Sequence, residues 1–240
     1  MSGKMLQFVN QVKEMPEKRS AHDRVSDFDE IYADFDITSA EEQAGRCSQC
    51  GVPFCQVNCP LHNNIPDWLM MTAENRMREA YELSSATNTF PEICGRICPQ
   101  DRLCEGNCVI EKGFESVTIG AVEKHITDTA FEEGWVKPIE VSGENGSSVG
   151  IIGAGPAGLA AADVLRRKGY RVTIYDRYDR VGGLLIYGIP GFKLEKDIVL
   201  RRAELLKAGG IDFIMNCEIG RDISFAELRE KHEAILIATG

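Results

Sequence analysis

The chain has 240 residues, of which 43% are hydrophobic and 27% are charged, and its formal net charge is −10. This composition is typical of a globular protein with room for two modest domains. The acidic balance argues against a nucleic-acid partner, because binding to phosphates requires a dense surface of lysine and arginine.

The start of the chain has no charged segment followed by a long apolar core, so we expect no secretory signal. The most apolar stretch, residues 149–165, contains four glycines together with Pro156 and Asp163, which is not the pattern of a membrane helix. We therefore expect a cytoplasmic protein that makes no contact with a membrane.

The first half of the chain carries helical signals. Ser39 and Glu42 form a capping box that predicts a short helix running to Cys47. Residues 67–84 place apolar side chains at helical spacing, and residues 118–135 do the same. The first half is therefore expected to be α-helical.

Eight of the nine cysteines lie in two groups within this helical half. The groups are Cys47, Cys50, Cys55 and Cys59, and then Cys94, Cys98, Cys104 and Cys108. Each group has a cysteine directly before a proline, a pattern typical of iron–sulfur sites, whereas structural zinc sites usually combine two CxxC-like pairs. Two 4Fe-4S clusters are therefore predicted; the alternatives are two zinc sites, or free buried thiols or disulfides. The ninth cysteine, Cys217, is expected to be a buried thiol without function.

The division of these ligands between two clusters follows ferredoxins, in which the cysteine before proline serves the other cluster. One cluster is assigned to Cys59, Cys98, Cys104 and Cys108. The other is assigned to Cys47, Cys50 and Cys55. Its fourth ligand is either Cys94 or Glu123, and Glu123 requires that the helix over residues 118–135 pack on the cluster.

The second half of the chain alternates strands and helices. A run of turn-forming residues, 142–148, has no periodicity and predicts a linker. We therefore predict a helical iron–sulfur domain over residues 1–143, followed over residues 147–240 by an α/β domain with a parallel sheet. The predicted strands cover 149–152, 171–175, 211–215 and 234–238, and the predicted helices cover 156–168 and 195–208. A second capping box, Ser224 with Glu227, predicts one more helix before the last strand.

A glycine-rich loop follows the first of these strands and opens a helix, which is the context that makes a GxGxxG pattern specific for a dinucleotide. Gly153 allows the tight turn, Gly155 lets the backbone approach a pyrophosphate, and Gly158 permits close packing of helix on strand. The intervening residues are Ala154, Pro156 and Ala157. Because the helix N-terminus attracts negative charge, this loop is predicted to hold the phosphates of FAD or NAD.

Asp176 ends the second strand and is placed to accept hydrogen bonds from a ribose diol, while its charge would repel the 2′-phosphate of NADP. Further along, Gly183 and Leu184 lie in a segment that resembles the one that flavoproteins with two dinucleotide sites run alongside the flavin. This resemblance favours FAD. No arrangement of Ser, His and Asp, and no carboxylate pair, predicts a catalytic residue.

Several longer motifs resemble one family. They are CSQCGVPFCQVNCP (47–60), CGRICPQDRLCEGNC (94–108), VTIGAVEKHITDTAFEEGW (117–135), GIIGAGPAGLAAADVL (150–165), GGLLIYGIPGFKLEK (182–196) and IATG (237–240). Together they look like the amino-terminal half of the small (beta) subunit of NADPH-dependent glutamate synthase. The cysteine framework alone is also shared with dihydropyrimidine dehydrogenase and with electron-bifurcating NADH-dependent ferredoxin oxidoreductase, which remain alternatives, as does a zinc-stabilised interaction module.

The resemblance implies a function in electron transfer. NADPH would reduce FAD, and two 4Fe-4S clusters would pass the electrons to a large (alpha) subunit that makes glutamate. By position, residues 153–157, Asp176, Leu184 and Lys193 match FAD contacts of the family, and Glu123 matches its uncommon cluster ligand. The resemblance also implies an NADPH domain outside this chain, so that the chain alone is not expected to oxidise NADPH.

Overall fold

The computed structural model describes residues 3–240, which form two compact units, one ending at Val136 and the other running from Lys137 to Gly240. The first unit is helical and the second contains a parallel sheet, as predicted. The finer domain limits of 1–143 and 147–240 stay predictions. Among the described residues, none of the helices combines the length and the apolar character that crossing a bilayer would require.

The first unit is built from short helices joined by turns. They are α1 (Ala21–Asp27), α2 (Ile37–Gly45), α3 (Phe54–Val57), α4 (Ile65–Ala73), α5 (Met77–Ser85), α6 (Pro91–Ile97), α7 (Glu111–Phe114) and α8 (Ile119–Glu132). The helix predicted over residues 118–135 is confirmed as α8, and its apolar stripe, including Val122 and Ile126, is buried.

The predicted N-cap of α2 was wrong by one turn. The cap is Asp36, whose side chain accepts a hydrogen bond from the Ser39 backbone N–H at 2.8 Å, so Ser39 lies inside the helix. Aspartate is as strong an N-cap as serine, and here it comes first. The helix ends at Gly45, two residues before Cys47.

The single helix predicted over residues 67–84 is two helices, α4 and α5. Asn75 lies between them with a φ of 58°, in the left-handed region that asparagine tolerates better than most residues and that ends a helix. The core is fixed by Trp68 of α4, whose side chain is fully buried and donates to Asn63 Oδ1 at 2.8 Å. Asn63 in turn donates to the Ser84 carbonyl at 3.0 Å, which ties α5 to the same core.

The second unit is a four-stranded parallel sheet in the order β3-β2-β1-β4. The strands are β1 (Ser148–Ile152), β2 (Arg171–Tyr175), β3 (Ile211–Ile214) and β4 (Ala234–Ile237). The helices are α9 (Pro156–Arg167), α10 (Leu184–Tyr187), α11 (Lys196–Ala208) and α12 (Phe225–Lys231). Each predicted strand is confirmed within one residue at either end, and the capping box of Ser224 with Glu227 is confirmed at α12. Because the strands are parallel, the carboxyl ends of β1, β2 and β4 meet at one edge of the sheet.

Candidate functional site

The first thiol group surrounds a small cavity in the helical unit. The cavity is lined by four cysteines, Cys47, Cys50, Cys55 and Cys108, and by apolar side chains that include Leu69, Val117 and Ile119. Cys47 follows α2, Cys55 lies in α3, and Cys108 precedes α7. The fold therefore joins three cysteines of the first sequence group to the last cysteine of the second.

Burial dominates the electrostatics of these thiols. Burial is the main cause that raises the pKa of Cys47 to about 11 and that of Cys55 to about 12, and the neighbouring thiol of Cys108 contributes in the same direction. Thiolates are the species that bind metal, so buried thiols grouped in this way are stable as anions only beside a compensating positive charge.

The second group gathers the other four cysteines around a carboxyl group. They are Cys59, Cys94, Cys98 and Cys104, with Glu123. Burial raises the pKa of Cys94 to about 12, and Glu123, Cys98 and Cys59 act on it as well. The pKa of Cys104 is also raised, first by burial and then by the charges of Glu105, Glu123 and Cys98.

Helix packing brings Glu123 to this group. A side-chain carbon at Gly95 of α6 would lie 2.6 Å from the backbone nitrogen of Lys124 in α8, so glycine is needed where the two helices touch. Glu123 is buried, and its Oε1 accepts long hydrogen bonds from Ser84 Oγ at 3.4 Å and Asn88 Nδ2 at 3.3 Å. Burial raises the pKa of Glu123 to about 8.

The structure groups the cysteines differently from the predicted division of the ligands. Cys108 had been assigned with Cys59, and the structure places it with Cys47, Cys50 and Cys55 instead. The open choice between Cys94 and Glu123 therefore belongs to the Cys59 group. Sequence spacing does not contain this information, because the path of the chain after Cys104 decides which cavity Cys108 faces. Within residues 3–240, no group of three or more His, Cys, Asp or Glu is arranged to hold a single metal ion.

A much larger cavity, of about 750 Å³, lies in the second unit at the carboxyl ends of β1, β2 and β4. Its size is typical of a small-molecule or cofactor site. Seven predicted residues line it, namely Gly153, Gly155, Pro156, Ala157, Asp176, Gly183 and Leu184. Three other predicted residues, Ala154, Gly158 and Lys193, are not part of its lining. Lys193 is exposed, and its contact with FAD stays a prediction.

The glycine loop has the geometry that a phosphate site needs. Gly153 has a φ of 114°, and a side-chain carbon there would lie 2.3 Å from the Ala238 carbonyl oxygen. At Gly158 such a carbon would lie 2.0 Å from the Gly153 carbonyl oxygen, which explains the close approach of α9 to β1. A side-chain carbon at Gly155, by contrast, would meet no other atom within 4 Å. The loop backbone is therefore accessible to a ligand at Gly155, beside the N-terminus of α9.

Asp176 holds the loop from the end of β2. Its Oδ2 accepts a hydrogen bond from the Ala154 N–H at 2.6 Å, and its Oδ1 accepts one from the Tyr178 N–H at 2.9 Å. Each carboxylate oxygen has a second lone pair, so the carboxylate can still accept hydrogen bonds from a ligand in the cavity.

Other residues of the cavity were not predicted. Tyr178 and Tyr187 line it with their ring centroids 5.2 Å apart, and an aromatic wall is a common way to hold an adenine or flavin ring. Cys217 also lines it and is buried as expected, and its lack of function stays a prediction. Its backbone N–H donates to the Asp176 carbonyl at 2.8 Å. These residues are far from the glycine loop in sequence, and no spacing rule identifies them.

Comparison with known families agrees with this division into two kinds of site. Residues 24–135 match the family described as dihydropyrimidine dehydrogenase domain II, 4Fe-4S cluster. Residues 151–193 match the NAD(P)-binding Rossmann-like domain.

Three relatives cover nearly all of the chain. The NADPH glutamate synthase small chain of Azospirillum brasilense is 66% identical over 99% of this chain and 49% of its own length. That of Escherichia coli is 47% identical over 100% of this chain and 51% of its own length. AegA of Escherichia coli, described as an oxidoreductase, is 47% identical over 94% of this chain and 34% of its own length.

The chain thus spans about half the length of the glutamate synthase small chains that it matches. The resemblance inferred from the cysteine and glycine motifs is confirmed by a sequence similarity that extends along nearly the whole chain. The chain belongs to the family of the glutamate synthase small chains.

Proposed function

We propose that this chain is the electron-transfer part of a glutamate synthase small chain, in which electrons pass from FAD through two 4Fe-4S clusters. The observation that carries the proposal is the presence, in one chain, of two buried thiol groups and a cavity built around a dinucleotide loop. Each group provides the soft thiolate ligands that iron–sulfur clusters require.

The ligand sets follow from the two groups. For one cluster we propose Cys47, Cys50, Cys55 and Cys108. For the other we propose Cys59, Cys98 and Cys104, completed by Glu123 or Cys94. When bound, such clusters supply one-electron transfer.

The cavity of the second unit is the proposed site of the adenosine and pyrophosphate parts of FAD. The open backbone at Gly155 and the N-terminus of α9 would face the pyrophosphate, and Asp176 would accept hydrogen bonds from the ribose diol. When bound, FAD converts between two-electron and one-electron transfer, the link that NADPH and iron–sulfur clusters need.

The remaining parts of the proposal concern the whole protein. We propose that NADPH is bound by the part of the glutamate synthase small chains that lies outside their match to this chain. The acceptor would be a large subunit that makes glutamate from 2-oxoglutarate and glutamine-derived ammonia. This part rests on the relatives, since the chain covers only about half of their length.

A second candidate is an oxidoreductase with another acceptor. AegA matches this chain with the same identity as the small chain of the same species, so sequence similarity does not separate the two acceptors. A relation to dihydropyrimidine dehydrogenase or to a bifurcating ferredoxin oxidoreductase belongs to this candidate, because the first domain carries the former description. Formation of glutamate from NADPH by the complete protein that contains this chain, combined with a large subunit, would decide for the first candidate.

The direct test is anaerobic purification followed by quantitative analysis of iron, sulfide, zinc and flavin. Two cubane clusters predict about eight iron and about eight sulfide per chain, with a broad absorption band near about 400 nm. Zinc without iron would contradict the proposal and would favour a zinc-stabilised interaction module.

A further inference from the structure

Arg46 is a buried cation next to the first thiol group. Its side chain is 0% exposed, and it directly precedes Cys47, one of the four cysteines of that group. Charged side chains are almost never fully buried unless they are paired or ligate a metal, because the loss of hydration is costly. The burial of this guanidinium therefore needs an explanation.

The hydrogen bonds of Arg46 fix the guanidinium but do not neutralise it. Nε donates to the Gln11 carbonyl at 3.1 Å and Nη1 to the Ser116 carbonyl at 2.8 Å. Nη2 donates to the carbonyls of Phe114 and Glu115 at 2.5 and 3.1 Å. All four acceptors are uncharged backbone oxygens. The cation is thus held rigidly between two segments of the first unit.

Two acidic groups act on this cation. Burial lowers the pKa of Arg46, while the carboxylate of Glu115 and the thiol of Cys108 act in the opposite direction. Glu115 is exposed, so water and salt screen its charge. Cys108 lines the cavity of the first thiol group, and so does Val117, which directly follows the Ser116 whose carbonyl accepts from Arg46.

We infer that Arg46 is the counter-charge of the cluster on Cys47, Cys50, Cys55 and Cys108, and that it raises the reduction potential of this cluster. The inference rests on the proposed function. Four thiolates outweigh the positive charge of the cluster core, so the oxidised cluster is an anion. Uptake of one electron from a reductant adds a further negative charge and transfers no proton. A fixed cation nearby stabilises the more negative, reduced state.

The test is a reductive titration of the anaerobically purified chain with dithionite and mediators, followed by electron paramagnetic resonance. Arg46→Gln removes the charge at similar side-chain length. We expect the reduction equilibrium of one cluster to shift by about tenfold towards the oxidised form, which is about 59 mV for one electron. The other cluster should keep its potential. The Cys50→Ser variant identifies the signal of the affected cluster.

Two further variants separate charge from hydrogen bonding. Arg46→Lys keeps the charge and loses the planar set of donors, so it should retain the wild-type potential. Arg76→Gln is the matched control, because Arg76 is an exposed arginine of the same unit whose guanidinium pairs with Glu74 at 3.1 Å. It should leave both potentials unchanged.

The outcomes separate this inference from the proposed function. Full iron content in Arg46→Gln with both potentials unchanged would overturn the inference alone. If Arg46→Gln does not retain iron, the lysine variant decides. Retention of iron and potential in Arg46→Lys supports the role of the charge, and loss of iron to the same extent as in Arg46→Gln overturns it. A wild-type chain with zinc and no iron would refute the proposed function itself.

Discussion

At the scale of single residues, the second thiol group offers one ligand more than a cluster needs. Cys59, Cys98 and Cys104 leave one position for either Cys94 or Glu123, and both lie beside them. The carboxyl of Glu123 is buried, and its pKa is raised to about 8 by that burial. Its hydrogen bonds to Ser84 and Asn88 are long and come from uncharged groups. A buried carboxylate with such weak partners is well suited to bind a metal.

We therefore predict that Glu123→Ala loses one cluster and that Cys94→Ser retains both. The iron content should fall from about eight to about four per chain in the first variant and stay near about eight in the second. Iron analysis of both variants, with circular dichroism to show that each is folded, provides the measurement. The reverse pattern would assign the position to Cys94.

A second prediction concerns Glu233, whose carboxylate accepts hydrogen bonds from the backbone N–H and the hydroxyl of Ser148 at 2.6 and 2.8 Å. These bonds lower the pKa of Glu233 to about 2, from an ordinary value of 4.5. A lowered pKa in the folded state means that the ionised form stabilises the fold above about pH 4.5 and that this contribution is lost as the pH falls towards 2.

Glu233→Gln should therefore increase the rate of amide hydrogen exchange in β1 at neutral pH. The difference from wild type should shrink as the pH falls below about 4.5. Comparison of wild type and variant at each pH removes the intrinsic effect of pH on exchange. Glu230→Gln, another exposed glutamate of the same segment, serves as the control. A difference that does not change with pH would refute the electrostatic explanation.

At the scale of secondary structure, the strands were predicted better than the first helices. The strands are short apolar runs bounded by turn residues, and each lies where the sequence places it. The helical errors have local causes. Asp36 and Ser39 are both good N-caps, and Asn75 ends α4 although the apolar spacing continues through it. Capping and left-handed residues are local features that the periodicity of apolar residues does not contain.

The junction of β1 and α9 gives an element-scale prediction, because two of its glycines serve different purposes. A side-chain carbon at Gly158 would clash with the Gly153 carbonyl, whereas one at Gly155 would meet open space. Gly158→Ala should destabilise the second unit by roughly 1–3 kcal/mol, the typical cost of overpacking. Gly155→Ala should cost less than about 0.5 kcal/mol but should weaken binding of ADP, because the methyl group enters the cavity.

Urea unfolding followed by circular dichroism measures the first effect, and calorimetric titration with ADP measures the second. Each variant is the control for the other, because the same methyl group is added to the same loop at two positions that are three residues apart. Equal stability of the two variants would contradict the packing explanation. Unchanged ADP affinity in Gly155→Ala would contradict the assignment of the loop to a pyrophosphate.

At the scale of the whole molecule, residue spacing predicted the kind of both sites, in agreement with the two matching families, but not which residues the fold brings together in each. The cysteine runs predicted two clusters, and the glycine loop predicted a dinucleotide. The thiol group that Cys108 joins and the aromatic wall of Tyr178 and Tyr187 depend on how distant segments of the chain meet. Only the fold shows these contacts. The chain matches only about half the length of its relatives, so activity must be tested with the complete protein.

The last prediction uses the distribution of tryptophan. The chain has two tryptophans, Trp68 and Trp135, and both belong to the first unit, so their fluorescence reports on that unit alone. Metal sites of this kind couple ligand binding to folding, because thiolates left without metal are a buried group of unsatisfied ligands. Removal of iron by an anaerobic chelator should therefore lower the urea midpoint of the fluorescence transition. Hydrogen exchange in β1 and β2 of the second unit should change much less. If iron removal leaves the fluorescence transition unchanged, the iron does not contribute to the folding of the first unit, and the assignment of its ligands to the buried cysteines of that unit would have to be withdrawn.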